Sequence, residues 1–108
     1  MAINKTARLA AKIEQIKNEI HHYGDMRPGS VTKQLHRRGQ KSWPYWQISY
    51  TLKRRSRTEY VRDEFVEQIQ AEVLAYKRFK LAIDKLVELN IQLSKEKIKE
   101  TLKKLKNK

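Results

Sequence analysis

The chain has no cysteine, which excludes a disulfide framework and a thiolate zinc site. That absence fits a reducing compartment, and a cytoplasmic location is the expectation. Glycine and proline are scarce, three and two in 108 residues, and neither occurs after Pro44. Apolar runs are short. None approaches the roughly 18–20 residues of a bilayer span, so no membrane partner is expected. The opening residues, MAINKTARLAAKIEQIKNEI, alternate apolar and charged positions, unlike the continuous apolar stretch of a signal peptide. Glu14 and Glu19 argue against a transit peptide.

The marks of catalysis are missing too. No glycine-rich phosphate loop and no nucleophile motif occurs. Glu67, Glu72, Asp84 and Glu88 sit among helical lysines, as surface ion pairs do. A magnesium-dependent nuclease needs clustered carboxylates, and the basic middle of the chain holds Glu59 alone. His21 and His22 are neighbours that a helix turns apart, and His36 stands by itself. The expectation is therefore no enzyme, no metal, no cofactor and no small-molecule substrate.

What is present is positive charge, and it is concentrated. The formal net charge is +13. Residues 26–62 hold ten basic side chains against one acidic, a net of +9. The flanking segments are nearly balanced. Clustering of one sign attracts polyanions and releases their counterions, the footprint of nucleic-acid binding.

One domain is expected from the length. Leu9, Ile13, Ile16 and Ile20 recur at helical spacing and predict a helix over about 5–22. Gly24 and Met26-Arg27-Pro28-Gly29 punctuate its end. From Tyr45 to Leu52 the period becomes two, with Trp46, Ile48, Tyr50 and Leu52 on one face and Tyr45, Gln47, Ser49 and Thr51 on the other. A turn at Lys53–Ser56 and a return strand at Arg57–Arg62 follow. Ser30–Arg37 supplies a third strand with Val31 and Leu35 toward the core, and Gly39–Pro44 the connecting loop. The result is a three-stranded antiparallel meander across the basic region 30–62.

Beyond it, residues 63–106 are helical. Asp63 is the N-cap candidate. Val66, Ile69, Val73, Tyr76, Phe79, Ile83 and Leu86 keep helical spacing to about residue 92. A break or bend is expected near Asn90–Ser94, with Ile98, Leu102 and Leu105 on a face beyond it. The fold class is α+β: N-terminal helix, β-meander, long C-terminal helix.

The segments Met26-Arg27-Pro28-Gly29-Ser30, Pro44-Tyr45-Trp46-Gln47-Ile48-Ser49-Tyr50-Thr51, Tyr60-Val61-Arg62 and Tyr76-Lys77-Arg78-Phe79 resemble an uncharacterised family of short prokaryotic proteins carrying a domain-of-unknown-function label. The likeness runs over about residues 20–95. It implies helix, basic hairpin and long helix, an association with mobile elements, and no known activity. Similar proteins often carry a cysteine cluster before the Pro-Tyr pair. Here that loop is Arg37-Arg38-Gly39-Gln40-Lys41-Ser42-Trp43, so a metal suggested there has no thiolate to hold it.

Two functions follow as expectations. In the first, the hairpin grips the backbone of DNA or RNA. Arg37, Arg38, Lys41, Lys53, Arg54, Arg55 and Arg57 contact phosphates, and Tyr45 and Gln47 offer hydrogen bonds or a stacking surface from the sheet. The same residues also suit plain strand chemistry, since edge lysines and arginines prevent aggregation. Trp46 and Tyr50 read as core. In the second, the long helix docks on a homodimer partner or a larger protein or ribonucleoprotein complex.

Overall fold

The computed structural model describes residues 4–107. The order of elements is α1 (Lys5–His21), β1 (Ser30–Arg38), β2 (Lys41–Leu52), β3 (Arg55–Val61), a 3-10 turn (Asp63–Phe65) and α2 (Val66–Lys106). This is the expected α+β class. The chain forms two compact units: one takes the residues up to Tyr23 and those from Phe79 onward, the other is Gly24–Arg78.

The helical unit begins at Asn4, whose side chain accepts from the Ala7 N–H at 2.7 Å and satisfies one of the open donors of the first turn of α1. Leu9 and Ile13 are buried against Leu89, with Ile16, Leu86 and Leu93 packed around them. Near the start of α1, Thr6 Oγ1 donates to Glu100 Oε1 at 2.6 Å, and Lys5 Nζ lies 3.4 Å from Glu96. Early residues of α1 thus meet late residues of α2, an antiparallel pair. Burial alone would raise the Glu96 carboxyl, but the hydrogen bond and charge of Lys5, with help from Lys99, hold it below the usual range.

No break occurs at Asn90–Ser94. α2 is one helix of 41 residues, about 60 Å at 1.5 Å per residue. Asn90 donates its side-chain amide to the Leu86 carbonyl at 2.9 Å, and Ser94 is an interior position, not a cap. Nothing there removes an N–H or frees the backbone, as proline or glycine would. Leu93 stays on the face that packs with α1, so burial continues across the expected break. Asp63 does not cap α2 either. It opens the 3-10 turn, in which the Phe65 N–H donates to the Arg62 carbonyl at 2.9 Å, and no side chain caps that turn.

In the sheet unit the strands run β1-β2-β3, all antiparallel. Ile48 at the centre is fully buried, with Val61 from β3 and Val73 from α2; Val31, Trp46, Tyr50, Val66 and Ile69 surround them. Trp46 and Tyr50 are therefore core-facing as expected, though only half-buried, and Ile48 is the true centre. Gly29 enters β1 with φ +136°, and a Cβ there would lie 2.8 Å from the Ser49 carbonyl oxygen and 2.9 Å from the Ile48 side chain. Only glycine lets the chain come this close to β2.

The strands are staggered. β1 meets β2 from Ser30↔Ser49 to Arg38↔Lys41, and β3 meets β2 from Trp46↔Val61 to Leu52↔Arg55. Three strands overlap only across Trp46–Ser49. On either side a two-stranded ribbon continues: the β1–β2 arm toward Gly39 and the β2–β3 arm toward Lys53. This corrects three boundaries. Lys41–Pro44 is strand, not loop, because Gly39-Gln40 closes the hairpin in two residues. Pro44 is tolerated in β2 because β3 has ended by that point and no strand waits there for its missing N–H. Arg55 and Ser56 belong to β3, and Arg62 lies outside it. Leu35 is also corrected: paired with Pro44 on the first arm, beyond the helix-covered core, it is 52% exposed.

Candidate nucleic-acid interface

Residues paired across an antiparallel ladder share a face. The register therefore sorts every side chain of the sheet unit. One face carries Val31, Ile48 and Glu59, then Lys33, Trp46 and Val61, then Tyr50 with Arg57 and Leu52 with Arg55. It holds the core. The opposite face carries Ser30, Ser49 and Thr58; Thr32, Gln47 and Tyr60; Gln34 with Tyr45; His36 with Trp43; and Thr51 with Ser56. It contains hydroxyls, amides and aromatic rings, and no carboxylate. Its centre is half-buried at Gln47 and Ser49, and its margins are open at Thr32, Thr51, Thr58 and Tyr60. Ser49 and Thr58 join hydroxyls at 3.2 Å, and Gln34 donates to Thr32 at 3.0 Å.

Tyr45 and Gln47 fall on this face, as the alternation predicts. Tyr60, 67% exposed beside Gln47, belongs with them and was not among the expected site residues. The signal was present in the sequence. Val61 is buried, so Tyr60 must point the other way. Further along the first arm, His36 lies between Trp43, at 4.7 Å between ring centroids, and Tyr45, at 6.3 Å. Trp43 remains 43% exposed.

Three of the ten cations of the basic segment are engaged within the sheet unit. Arg27 bonds Glu59 at 2.7 Å and lies over the Tyr50 ring. Arg62 pairs with Glu64 at 3.0 Å. Lys33 covers the Trp46 ring. The hydrogen bond from Arg27 holds the Glu59 carboxyl below its ordinary range; burial opposes this, and Tyr50 and the charges of Arg27 and Arg57 support it.

The other seven are Arg37, Arg38, Lys41, Lys53, Arg54, Arg55 and Arg57, the same seven named from the sequence. All are exposed, and none makes an ion pair among the described residues. They do not share one face. Arg38 and Lys41 lie on the carboxylate-free side at the end of the first arm, and Arg37 on the other side. Arg55 and Arg57 lie on the core side of the second arm, and Lys53 and Arg54 form its turn. The structure thus gathers them into two clusters, one at each ribbon end.

The two turns are built differently. Gly39 has φ +64° and Gln40 does not have positive φ, the pattern of a II′ hairpin turn with glycine first. At the other end Lys53 and Arg54 have φ +51° and +66°. Two consecutive left-handed residues make a I′ turn, which asparagine-glycine forms with least strain. Lysine and arginine carry a Cβ that opposes this conformation. The strained turn therefore sits at the tip with the most charge.

His21 and His22 do meet, edge to face at 5.8 Å, which corrects the expectation that the helix turns them apart. No group of three or more metal-ligating side chains is found among the described residues. Nor, among them, is any helix long and apolar enough to cross a membrane. No protein-family model, curated protein or solved structure matches the chain. The likeness carried by the PYWQISYT and YVR segments therefore stays an expectation.

Proposed function

We propose that this protein binds nucleic acid through its sheet unit, holding backbone phosphates with the two ribbon ends and laying the carboxylate-free face between them. The observation that carries this reading is the set of seven exposed, unpaired cations concentrated at the two ends of one sheet. Cations kept for solubility alone would be spread over the surface and interspersed with acids.

The dimensions suit a duplex. Each arm is a two-stranded ribbon, and a major groove about 12 Å wide admits one. β2 has 12 residues, so its ends lie about 36 Å apart at roughly 3.3 Å per residue. That is comparable to one turn of duplex, about 34–36 Å. Arg38, Lys41 and the turn residues Lys53 and Arg54 would then reach phosphates separated along the strand while Tyr45, Gln47, Tyr60 and the hydroxyls face the groove. Arg37, Arg55 and Arg57, on the other side of the ribbons, would meet phosphates around the ribbon edges. On this reading the phosphate contacts set affinity and position and carry no sequence information.

The reading is tested by binding to labelled duplex DNA, single-stranded DNA and structured RNA of matched length over a range of salt. Steep loss of affinity with salt supports it. Replacing Arg54, Arg55 and Arg57 together with serine should weaken binding to every sequence and flatten that dependence. Unchanged affinity would remove the second arm from the interface.

A further inference from the structure

Beyond the sheet, the C-terminal half of α2 carries a second apolar surface that its packing with α1 does not use. Val87, Ile91, Ile98, Leu102 and Leu105 are each at least half exposed, 50–61%. At 3.6 residues per turn they fall within an arc of about 60°. Leu86, Leu89 and Leu93, which pack with α1, lie on nearly the opposite side. Ile91, Ile98 and Leu105 are spaced by heptads, and Val87, Ser94 and Thr101 fill the alternating positions, the pattern of a coiled-coil seam. A monomer gains nothing from a row of exposed aliphatic side chains, and such a patch marks an interaction surface.

Charge along the flanks selects the occupant. Lys95 and Lys106 border one side of the seam, behind a single carboxylate at Glu88, and Lys97 and Lys104 border the other. None of these four lysines is ion-paired among the described residues. A second copy of the chain would set lysine against lysine at most flanking positions. A lipid surface calls for a wider apolar face with bulkier anchors, and this one is narrow, aliphatic and interrupted by Ser94 and Thr101. We infer that the seam docks an amphipathic helix of another protein, one with aliphatic residues at its own seam and glutamate or aspartate along its flanks. Attraction between unlike flanks chooses the partner and its register, and the aliphatic seam holds it. The protein then joins a nucleic-acid grip at its sheet to a protein contact at its long helix.

The test uses the full chain and a labelled synthetic helix of about four heptads, with leucine at the seam and glutamate on both flanks. A matched helix carries lysine on the flanks. The glutamate helix should bind by fluorescence anisotropy and the lysine helix should not. Replacing Ile98→Gln together with Leu102→Gln should weaken binding about tenfold or more, with the helical circular dichroism unchanged because both side chains are already exposed. No binding of the glutamate helix, or equal binding of the lysine helix, would overturn the inference. Affinity unaffected by the double substitution would place the peptide elsewhere on the basic surface and would overturn it too. So would a sedimenting homodimer abolished by that substitution, or capture of the chain by anionic vesicles that fails only in the double variant.

Discussion

In the helical unit, Lys5 and Lys99 both reach Glu96, and Lys17 reaches Glu14. In the sheet unit, Arg27 and Arg62 find carboxylates, while seven other cations crowd two ribbon ends and make no ion pair among the described residues, Arg57 alone lending its charge to Glu59 from a distance. Both units are basic and both leave cations outside ion pairs among the described residues. In the helical unit these are strung along the two helices, Arg8 and Lys12 on α1 and several from Lys85 to Lys106 on α2, whereas in the sheet unit they crowd into two small areas. Surface ion pairs are each worth little, so the pairs do not explain why either unit folds. They show which cations are already occupied. Unanswered charge held at fixed places on a rigid ladder is suited to a polyanion whose phosphates are also at fixed spacing.

The largest effect should come from breaking the sheet unit itself. Ile48→Ala removes its one fully buried side chain and should cost about 2–5 kcal/mol, read as a lower denaturant midpoint. Binding should fall with the population of folded sheet. The opposite dissociation, full stability without binding, would show that Ile48 faces the ligand.

Next comes the strained turn. Replacing Lys53→Asn with Arg54→Gly should raise stability by about 1–2 kcal/mol, since it relieves two left-handed side-chain-bearing residues. The same change should weaken nucleic-acid binding by removing two contacts. Gains in both would mean that the charge at this tip serves no ligand. Smaller still is the change at Tyr60. Tyr60→Ser, on an exposed position of the carboxylate-free face, should reduce binding with little change in the thermal midpoint. Loss of stability alone would return Tyr60 to cross-strand packing.

The smallest effect concerns pH. Glu59 has a folded-state pKa below its unfolded value, so its contribution is present above the unfolded value, about 4.3, and is lost as pH falls through the folded one. Stability should decline there on acidification, and Glu59→Gln should flatten the decline. A wild-type curve unchanged by that substitution would mean that the Arg27–Glu59 contact adds nothing to the sheet unit.

Much of this architecture was legible in residue spacing. Period two in Tyr45–Leu52 assigned Trp46, Ile48 and Tyr50 to one face and Tyr45 and Gln47 to the other. The +4, +3, +4 spacing from Leu9 to Ile20 marked α1 nearly to its ends. The seven unpaired cations were visible as charge. What escaped depended on pairing between distant segments. Pro44 reads as a loop residue until β3 is known to stop short of it. Leu35 reads as core until its partner proves to be Pro44 on an open arm. Lys53-Arg54 carries none of the asparagine-glycine chemistry that announces a I′ turn, so the loop looked longer than two residues. Asn90 and Ser94 suggested a stop in α2, and local propensity there is weaker than continued burial of Leu89 and Leu93.

The central claim is that the two ribbon ends hold phosphates. The most direct measurement is the salt dependence of binding to labelled nucleic acid by the wild type and by the Arg54, Arg55, Arg57 to serine variant. Each lost phosphate contact should lower the slope of log affinity against log salt by about one. The account predicts a steep wild-type slope and a variant slope shallower by about one to three, at unchanged thermal stability. Absence of binding to every nucleic acid at low salt, or a variant slope equal to the wild type, would contradict it.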